Sequence, residues 1–287
     1  MAGIGKLDKP EEQADIIDMV KERLNKFIAG AGIASRRKAD ELIAAGLIKV
    51  NSQVVTELGW QINPQVDRVE YQGREVKPAV PLLFMFNKPK GVTSTLSDRY
   101  ASKTITDYFK GMSRVYPVGR LDKDSEGLML VTNDGDLANQ LTHPRYEHEK
   151  EYEVVIEKMP LIVIPAKAGI QARKQLSLDP RVKPEDDIKK KFSQEFVLDG
   201  YKIRPMRVRL IKKINLPHPT SPYQGEERRG YWLISLILQE GRKRQIRRVA
   251  EILGYKVTRL KRVRIGRLTL GNLPIGEYRA VSTSDII

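Results

Sequence analysis

The sequence has no cysteine and only three histidines, His143, His148 and His218. Disulfide bonds and thiolate-ligated metal sites are therefore excluded. So few imidazoles also argue against a zinc site. We expect no metal and no other cofactor.

Long apolar runs are absent as well. The longest, around Leu82–Phe86 and Trp232–Leu238, are far too short to cross a bilayer. The N-terminal segment MAGIGKLDKPEEQADII is acidic and lacks the apolar stretch of a signal peptide. We therefore expect a cytoplasmic protein. Its 287 residues, 40% of them hydrophobic, suffice for two domains with real cores.

Acidic residues are outnumbered, and the formal net charge is +15. Positive potential attracts phosphate groups and speeds their encounter with the protein, so this charge predicts a polyanionic partner. Charge alone does not separate a nucleic acid from an anionic membrane surface. A basic protein with no such partner is the remaining alternative.

Residues 20–80 are predicted to form a compact module of two helices and a hairpin. Leu24 and Ile28 lie on one apolar helical face. Ser35 is the predicted N-cap of the second helix, because its side chain can accept a hydrogen bond from the first turn. The segment LIKVNSQVV follows as two short strands about a turn at Asn51–Ser52.

Three cations, Arg36, Arg37 and Lys38, occupy the first turn of the second predicted helix. The helix dipole disfavours each of them there by about 0.3–1 kcal/mol. A phosphate bound at that end would offset the cost, since helix amides and basic side chains would meet it together. The alternative is a solvated basic turn without a ligand.

The segment RLNKFIAGAGIASRRKADELIAAGLIKVNSQVV resembles the S4-type RNA-binding domain. The resemblance covers most of residues 20–80 and implies that Arg36, Arg37 and Lys38 bind RNA. One position departs from the family pattern. Ser52 stands in the hairpin turn where the family usually has glycine, and we expect a slightly weaker hairpin.

A second domain is predicted for residues 81–287, after an N-terminal extension (1–19) and the module. Two stretches rich in proline and polar residues, near 160–185 and 215–230, have no clean period. Strand-like alternation returns between them, which indicates surface insertions into one sheet domain.

The segment GRLDKDSEGLMLVTNDG at 119–135 concentrates carboxylates in a basic chain. The spacing of Asp122, Asp124 and Glu126 before a glycine is similar to the start of a calcium loop. That loop needs a bidentate glutamate at its twelfth position, where this chain has Asn133. A predicted strand, rather than a helix, follows the acids. The alternative is a catalytic turn leading into a buried strand.

The same segment closely resembles the signature of pseudouridine synthases, in particular the RsuA/RluB branch that acts on ribosomal RNA. Further motifs carry the resemblance along the chain: NKPKGV (87–92), LTHPRYEHEKEYEV (141–154), EGRKRQIRR (240–248) and RLKRVRIGRLTLG (259–271). The reaction implied breaks the glycosidic bond of a uridine and rejoins the uracil through carbon 5, without metal or redox cofactor.

The resemblance implies that Asp122 is the catalytic carboxylate and that Arg120 and Leu121 line the substrate pocket. Whether Asp122 attacks the ribose or removes a ribose proton stays open, and a simple turn or capping role is the alternative. Asp124 and Glu126 are better interpreted as solvated acids of the turn.

The family places an arginine near the catalytic carboxylate, which corresponds to Arg247. A helix is predicted from about Lys243 to Leu253, with Ile246 and Val249 on its apolar face. Arg247 lies about 100° from Ile246, at the flank of that face, and can reach inward. The alternative is an ordinary surface arginine.

Two further pocket residues follow from the resemblance. Tyr152 corresponds to the tyrosine that stacks on the target base, and an aromatic plane is a suitable platform for an extruded base. Leu260 corresponds to an apolar pocket residue. Either side chain could equally be ordinary core packing.

The segment 240–267 holds eleven basic and two acidic residues. Such a patch beside the proposed site fits contact with an RNA backbone. The residues expected to bind RNA there are Lys243, Arg244 and Arg248, and the two arginines project from the polar side of the predicted helix.

Together these features predict a two-domain α+β protein: a small helix-helix-strand RNA-binding domain, then a mixed-sheet pseudouridine synthase domain. We expect a monomer that isomerises one flipped-out uridine of structured ribosomal RNA, with large-subunit RNA favoured and no membrane partner. The alternative is a non-catalytic RNA-binding factor in ribosome assembly or translation control.

Overall fold

The computed structural model describes residues 21–98, 100–159, 183–214 and 231–287. The chain divides into two compact units. The first runs to Leu82 and includes the short segments Gly111–Val115 and Asn133–Gly135, and the second contains the remainder. Among the described residues, no helix is long and apolar enough to cross a membrane. Both predicted insertions lie outside the described residues for most of their length.

The described residues of the first unit form two helices and two small sheets. Its elements are β1 (Glu22–Arg23), α1 (Leu24–Gly30), α2 (Arg36–Ala44), β2 (Ile48–Val50), β3 (Gln53–Val55), β4 (Gln61–Ile62), β5 (Val69–Tyr71) and β6 (Arg74–Glu75). Strands β3, β2, β5 and β6 form one antiparallel sheet in that order, while β1 pairs with β4. The core between helices and sheet is apolar, with Leu24, Ile28 and Ile43 buried.

Local signals in the sequence placed these helices correctly. The Ser35 side chain accepts a hydrogen bond from the Lys38 N–H at 3.2 Å, so Ser35 is the N-cap of α2. Gly46, which follows the helix, has φ +68°, a conformation that costs glycine little. The predicted S4-like helix-helix-strand arrangement is confirmed.

The turn between β2 and β3 shows what the departure at Ser52 costs. Asn51 and Ser52 both have positive φ, 50° and 67°, as a tight two-residue hairpin turn requires. Asparagine tolerates this region well, whereas serine carries a steric cost that glycine would not have. The expected slight weakening of the hairpin would therefore have a conformational cause.

The second unit is built on a nine-stranded sheet. Its strands are β7 (Leu83–Lys88), β8 (Tyr116–Val118), β9 (Glu126–Thr132), β10 (Lys150–Lys158), β13 (Arg207–Ile214), β14 (Tyr231–Leu238), β15 (Tyr255–Ile265), β16 (Leu268–Thr269) and β17 (Tyr278–Ala280), while β11 (Phe196–Leu198) and β12 (Tyr201–Ile203) form a separate hairpin. The order in the sheet is β13-β14-β10-β15-β9-β7-β17, with β16 paired to β15 and β8 paired to β9. Among these described strands, β9 and β15 pair in parallel and the other pairs are antiparallel, so the predicted mixed sheet is confirmed.

In the part of this unit that the structure describes, three helices and three short 3-10 turns accompany the sheet. They are α3 (Gly135–Thr142), α4 (Pro184–Phe192) and α5 (Gln245–Ile252), with 3-10 turns at Ile105–Tyr108, Pro144–Tyr146 and Thr283–Asp285. Helix α4 begins inside the predicted insertion 160–185, but the residues that it buries, Ile188 and Phe192, lie beyond this stretch. The described end of the stretch, residues 183–185, is exposed.

The centre of the sheet brings four distant positions into one cross-strand row. Lys88 on β7 pairs with Gly127 on β9, Gly127 pairs with Arg262 on β15, and Arg262 pairs with Tyr152 on β10. Paired residues in a sheet share a face, so the three side chains project to the same side. Glycine at the second position allows the close approach of the two strands, because an added Cβ would meet the backbone of Arg262.

Candidate active site

The loop Leu121–Ser125 leads directly into β9, and its backbone carbonyls are individually hydrogen-bonded. The Lys88 ammonium donates to the carbonyls of Asp122 at 3.3 Å and Ser125 at 2.8 Å. The Gly91 N–H donates to the Lys123 carbonyl at 2.7 Å. This irregular loop has no strand partner, so these donors fix its shape.

The Asp122 carboxylate differs from its neighbours. Asp122 is half-buried, and within the described residues its carboxylate has no hydrogen-bond or ion-pair partner. By contrast, Asp124 pairs with Arg244 at 3.7 Å and Glu126 pairs with Arg259 at 2.6 Å. Asp122 is therefore the acid of this loop that is available to a ligand.

Calcium chemistry finds no support in this geometry. The described residues contain no group of three or more histidine, cysteine, aspartate or glutamate side chains that could hold a metal ion. Two acids of the apparent calcium pattern pair with arginines, as described above.

Lys88 supports the loop and was missed by the sequence reasoning. Its side chain is fully buried in the structure, and its ammonium also donates to the Pro89 carbonyl at 3.0 Å. Burial lowers the pKa of Lys88 to about 8, an effect that nearby Asp122 partly opposes and Arg262 reinforces. The detectable signal was a lysine ending the apolar strand segment LFMFNK.

The shifted pKa of Lys88 predicts a pH-dependent stability. The folded state binds this proton less tightly than the unfolded state, whose lysine has the ordinary pKa of 10.5. Below about pH 8 the folded state therefore bears the full free-energy cost of burying the Lys88 charge. This cost decreases as the pH rises from about 8 to 10.5, because the folded protein has lost the proton that the unfolded protein still binds. We expect the unfolding free energy of the wild type, relative to Lys88→Met, to increase across this window by on the order of 3 kcal/mol. Denaturant unfolding of both proteins at several pH values measures the difference, and a flat difference would contradict the assignment.

Arg247 reaches the loop from α5, where Ile246 and Val249 are buried as the helical periodicity predicted. Its guanidinium donates from Nη2 to the Asp124 carbonyl at 2.9 Å and from Nη1 to the Val257 carbonyl at 3.2 Å. Arg247 therefore binds the loop backbone two residues beyond Asp122 and does not pair with the Asp122 carboxylate.

The positive charge of Arg247 nevertheless interacts with the carboxylates of the loop. Burial, and then neighbouring Arg244, lower the pKa of Arg247, while Asp124 and Asp122 oppose that shift. Nε of Arg247 is buried and has no partner among the described residues. The guanidinium therefore holds the loop and contributes positive potential near the Asp122 carboxylate.

Tyr152 and Leu260 lie in the centre of the sheet. Tyr152 is 8% exposed and Leu260 is 6% exposed, and Leu260 pairs with Val154, two residues beyond Tyr152. Because alternate residues of a strand share a face, Leu260 and Tyr152 lie on the same side of the sheet as Lys88. Both side chains are largely covered in this structure.

Arg262 is a second buried cation that sequence reasoning missed. It is 3% exposed, its Nε donates to the Leu128 carbonyl at 2.7 Å, and its Nη2 has no partner among the described residues. Nothing in the basic segment 259–271 distinguishes this arginine from its solvent-facing neighbours. Its place beside Gly127 follows from the pairing of β9 with β15.

The remaining predicted pocket residues flank the loop. Leu121 is 6% exposed and packs into the protein, whereas Arg120 is exposed. The structure therefore places Leu121 where it supports the loop, and leaves the Arg120 side chain accessible.

Three of the cations predicted to bind RNA are open to solvent. Arg36 and Arg37 in the first unit and Lys243 in the second are exposed. Lys243 also interacts electrostatically with the Asp199 carboxyl: hydrogen bonds from Arg248 lower the pKa of that group, and the charge of Lys243 lowers it further. Exposure leaves all three side chains accessible to a phosphate.

Other cations of the predicted RNA interface already have partners. Lys38 pairs with Glu41 at 2.6 Å. Arg248 makes two hydrogen bonds to the Asp199 carboxylate, at 2.7 and 2.8 Å. Arg244, at the N-cap position of α5 with φ +53°, is the partner of Asp124 described above. These side chains would have to exchange a protein carboxylate for a phosphate in order to bind RNA.

Comparison with known proteins gives two family matches. The profile of the family described as RNA pseudouridylate synthase matches residues 82–251, and the S4 domain matches residues 22–67. A relative described as ribosomal large subunit pseudouridine synthase B, from Bacillus subtilis, is 37% identical over 92% of this chain and 94% of its own length.

Two further similarities agree with these matches. The dual-specificity RNA pseudouridine synthase RluF of Escherichia coli is 32% identical over 92% of this chain and 77% of its own length. A crystal structure of a pseudouridylate synthase shares the fold, with a TM-score of 0.54 and 24% identity over 92% of this chain and 97% of that one. The chain therefore belongs to the RNA pseudouridylate synthase family and carries an S4 domain at its N-terminal end.

Proposed function

We propose that this enzyme isomerises a specific uridine of ribosomal RNA to pseudouridine, with Asp122 as the catalytic carboxylate. The observation that carries the assignment is the geometry of the Leu121–Ser125 loop. Its backbone is held by hydrogen bonds to its carbonyls, while the Asp122 carboxylate has no partner among the described residues. Such an acid is positioned by the fold and remains free to meet a substrate.

Two cations lie near the Asp122 carboxylate. Lys88 and Arg247 both interact electrostatically with it. The reaction would proceed at this acid without a metal or redox cofactor.

Tyr152, Leu260, Arg120 and Leu121 are proposed to form the pocket for a flipped-out uridine. The tyrosine ring would stack on the base once the RNA has entered. Because the tyrosine is 8% exposed in the structure, substrate binding would have to uncover one face of its ring.

Large-subunit RNA is the favoured substrate, because the Bacillus subtilis relative is described as acting on the large ribosomal subunit. We further propose that the enzyme acts as a monomer in the cytoplasm, where a ribosomal RNA substrate would be available. Pseudouridine mapping in ribosomal RNA from cells with and without the gene tests the substrate. Loss of one site in the large-subunit RNA is expected, and an unchanged map together with tight RNA binding would favour a non-catalytic RNA-binding factor.

The first turn of α2 is proposed to contact the RNA backbone. Replacing Arg36, Arg37 and Lys38 by alanine should weaken binding and reduce the slope of log affinity against log salt by about 2, because fewer counterions are released. Filter binding at several salt concentrations measures the slope. Lys38 contributes less than the two arginines if its pair with Glu41 persists.

A matched control removes the same charge from elsewhere in the first unit. Lys49, Arg74 and Lys77 are exposed, and their replacement by alanine should change the slope less. Equal slopes for the two triple variants would show that only the total charge of this unit matters.

A further inference from the structure

Ser94 forms a two-point contact with the residue that precedes Asp122. Its hydroxyl accepts a hydrogen bond from the Leu121 N–H at 3.1 Å and donates one to the Leu121 carbonyl at 2.5 Å. A hydroxyl offers one donor and two acceptor sites, so both bonds can form together. Ser94 is 6% exposed, which excludes most of the water that could replace it.

The segment that carries Ser94 is itself anchored. The Thr93 N–H donates to the Lys103 carbonyl at 3.1 Å, and Thr93 forms an isolated parallel bridge with Thr104. The same segment supplies Lys88 and Gly91, which bind other carbonyls of the loop. Ser94 thus belongs to an anchored segment whose hydrogen bonds hold the backbone of the loop.

Ser94 holds the residue directly before Asp122. The backbone of Leu121 sets the direction in which the chain enters Asp122, and both of its polar groups bind the Ser94 hydroxyl. A shift of about 1 Å in a reacting group can lower a rate about 100-fold. The contacts of Lys88, Gly91 and Arg247 lie at or beyond Asp122 and do not replace this one.

We infer that Ser94 is a positioning residue, which aims the Asp122 carboxylate by holding the backbone of Leu121. The inference rests on the proposed function, since it requires Asp122 to be the catalytic acid. Ser94 is 6% exposed and its hydroxyl binds the backbone of Leu121, so its loss should act on the chemical step and leave RNA affinity unchanged.

The test compares Ser94→Ala and Ser94→Thr with the wild type. The substrate is an unmodified ribosomal RNA fragment that contains the target uridine. Ser94→Ala should lower kcat about 100-fold with KM within about threefold, because the carboxylate is misplaced while the RNA contacts remain. Ser94→Thr retains the hydroxyl and should recover most of kcat. Thr95→Ala is the matched control, since the Thr95 hydroxyl donates to the Ser97 carbonyl and not to the loop.

Hydrogen exchange provides a readout that does not depend on activity. In Ser94→Ala, amides of the loop 121–125 should exchange faster, while those of the central sheet strands keep their protection. A uniform loss of protection would mean general destabilisation and would overturn the positioning role.

The outcomes separate this inference from the proposed function. Wild-type kcat in Ser94→Ala, beside an inactive Asp122→Asn variant, would overturn the inference alone. A raised KM with unchanged kcat would also overturn it. A wild-type protein that never forms pseudouridine in any ribosomal RNA would overturn both.

Discussion

Asp122→Asn should abolish pseudouridine formation while the protein keeps its fold and its affinity for RNA. Asparagine has nearly the same shape as aspartate but can neither attack a ribose carbon nor accept a ribose proton as a carboxylate does. The loop should keep its conformation, because the hydrogen bonds that hold it bind backbone carbonyls and not the Asp122 side chain.

The substitution also removes a negative charge near two buried cations. Asp122 raises the pKa of Lys88 and of Arg247, so its loss should lower the pKa of both groups. Stability can change in either direction, since the carboxylate attracts these cations but is itself half-buried. Activity, rather than stability, decides the prediction.

Asp124→Asn is the matched control from the same loop. The Asp124 carboxylate is exposed and pairs only loosely with Arg244, at 3.7 Å, so most activity should remain. The assay follows pseudouridine in a ribosomal RNA fragment, with and without a chelator. Full turnover by Asp122→Asn would contradict the mechanism, and activity that vanished with the chelator would point to a metal instead.

Sequence reasoning succeeded where the signal was local. The Ser35 cap, the turn at Asn51–Ser52 and the apolar face of α5 each depend on residues a few positions apart, and the structure has all three. The resemblance to a family indicated which acid and which arginine to consider, although the structure places Arg247 on a backbone carbonyl.

The supporting residues could not be recognised in the same way. Lys88 binds carbonyls 34 and 37 residues away, and Arg248 binds an aspartate 49 residues away. Lysine and arginine are usually solvated, so a sequence pattern gives no reason to bury them. Ser94 is one hydroxyl in the polar stretch TSTLSD, and only the fold shows that it reaches Leu121.

The row across the sheet depends on pairing that is not local. Strand β15 lies between β9 and β10 in the sheet, although it follows both in the chain. This order places Arg262 between Gly127 and Tyr152. Periodicity predicts that a strand exists, but it does not predict its neighbours.

Gly127→Ala should disrupt this junction although it adds a single methyl group. Gly127 has φ +101°, a conformation that side chains rarely adopt. A Cβ there would collide with the carbonyl oxygen of Arg262 and lie 2.8 Å from its nitrogen. Both atoms belong to the backbone of β15, so neither can rotate away as a side chain would.

The expected loss of unfolding free energy is about 3–5 kcal/mol, from strained backbone and overpacking together. Activity should fall by more than the decrease in the folded fraction accounts for, because β9 begins at the end of the Asp122 loop. Separating β9 from β15 would displace that loop, and kcat should drop at least about 100-fold in protein that remains folded.

Gly254→Ala separates the two causes. Gly254 has a similar positive φ of +80°, but no atom lies within 4 Å of the Cβ position. This variant therefore carries the conformational strain without the collision and should lose about 1–2 kcal/mol, with kcat nearly unchanged. Denaturant unfolding and the pseudouridine assay on both variants measure the contrast. Equal losses in the two proteins would show that the close approach of β9 to β15 is not what the glycine protects.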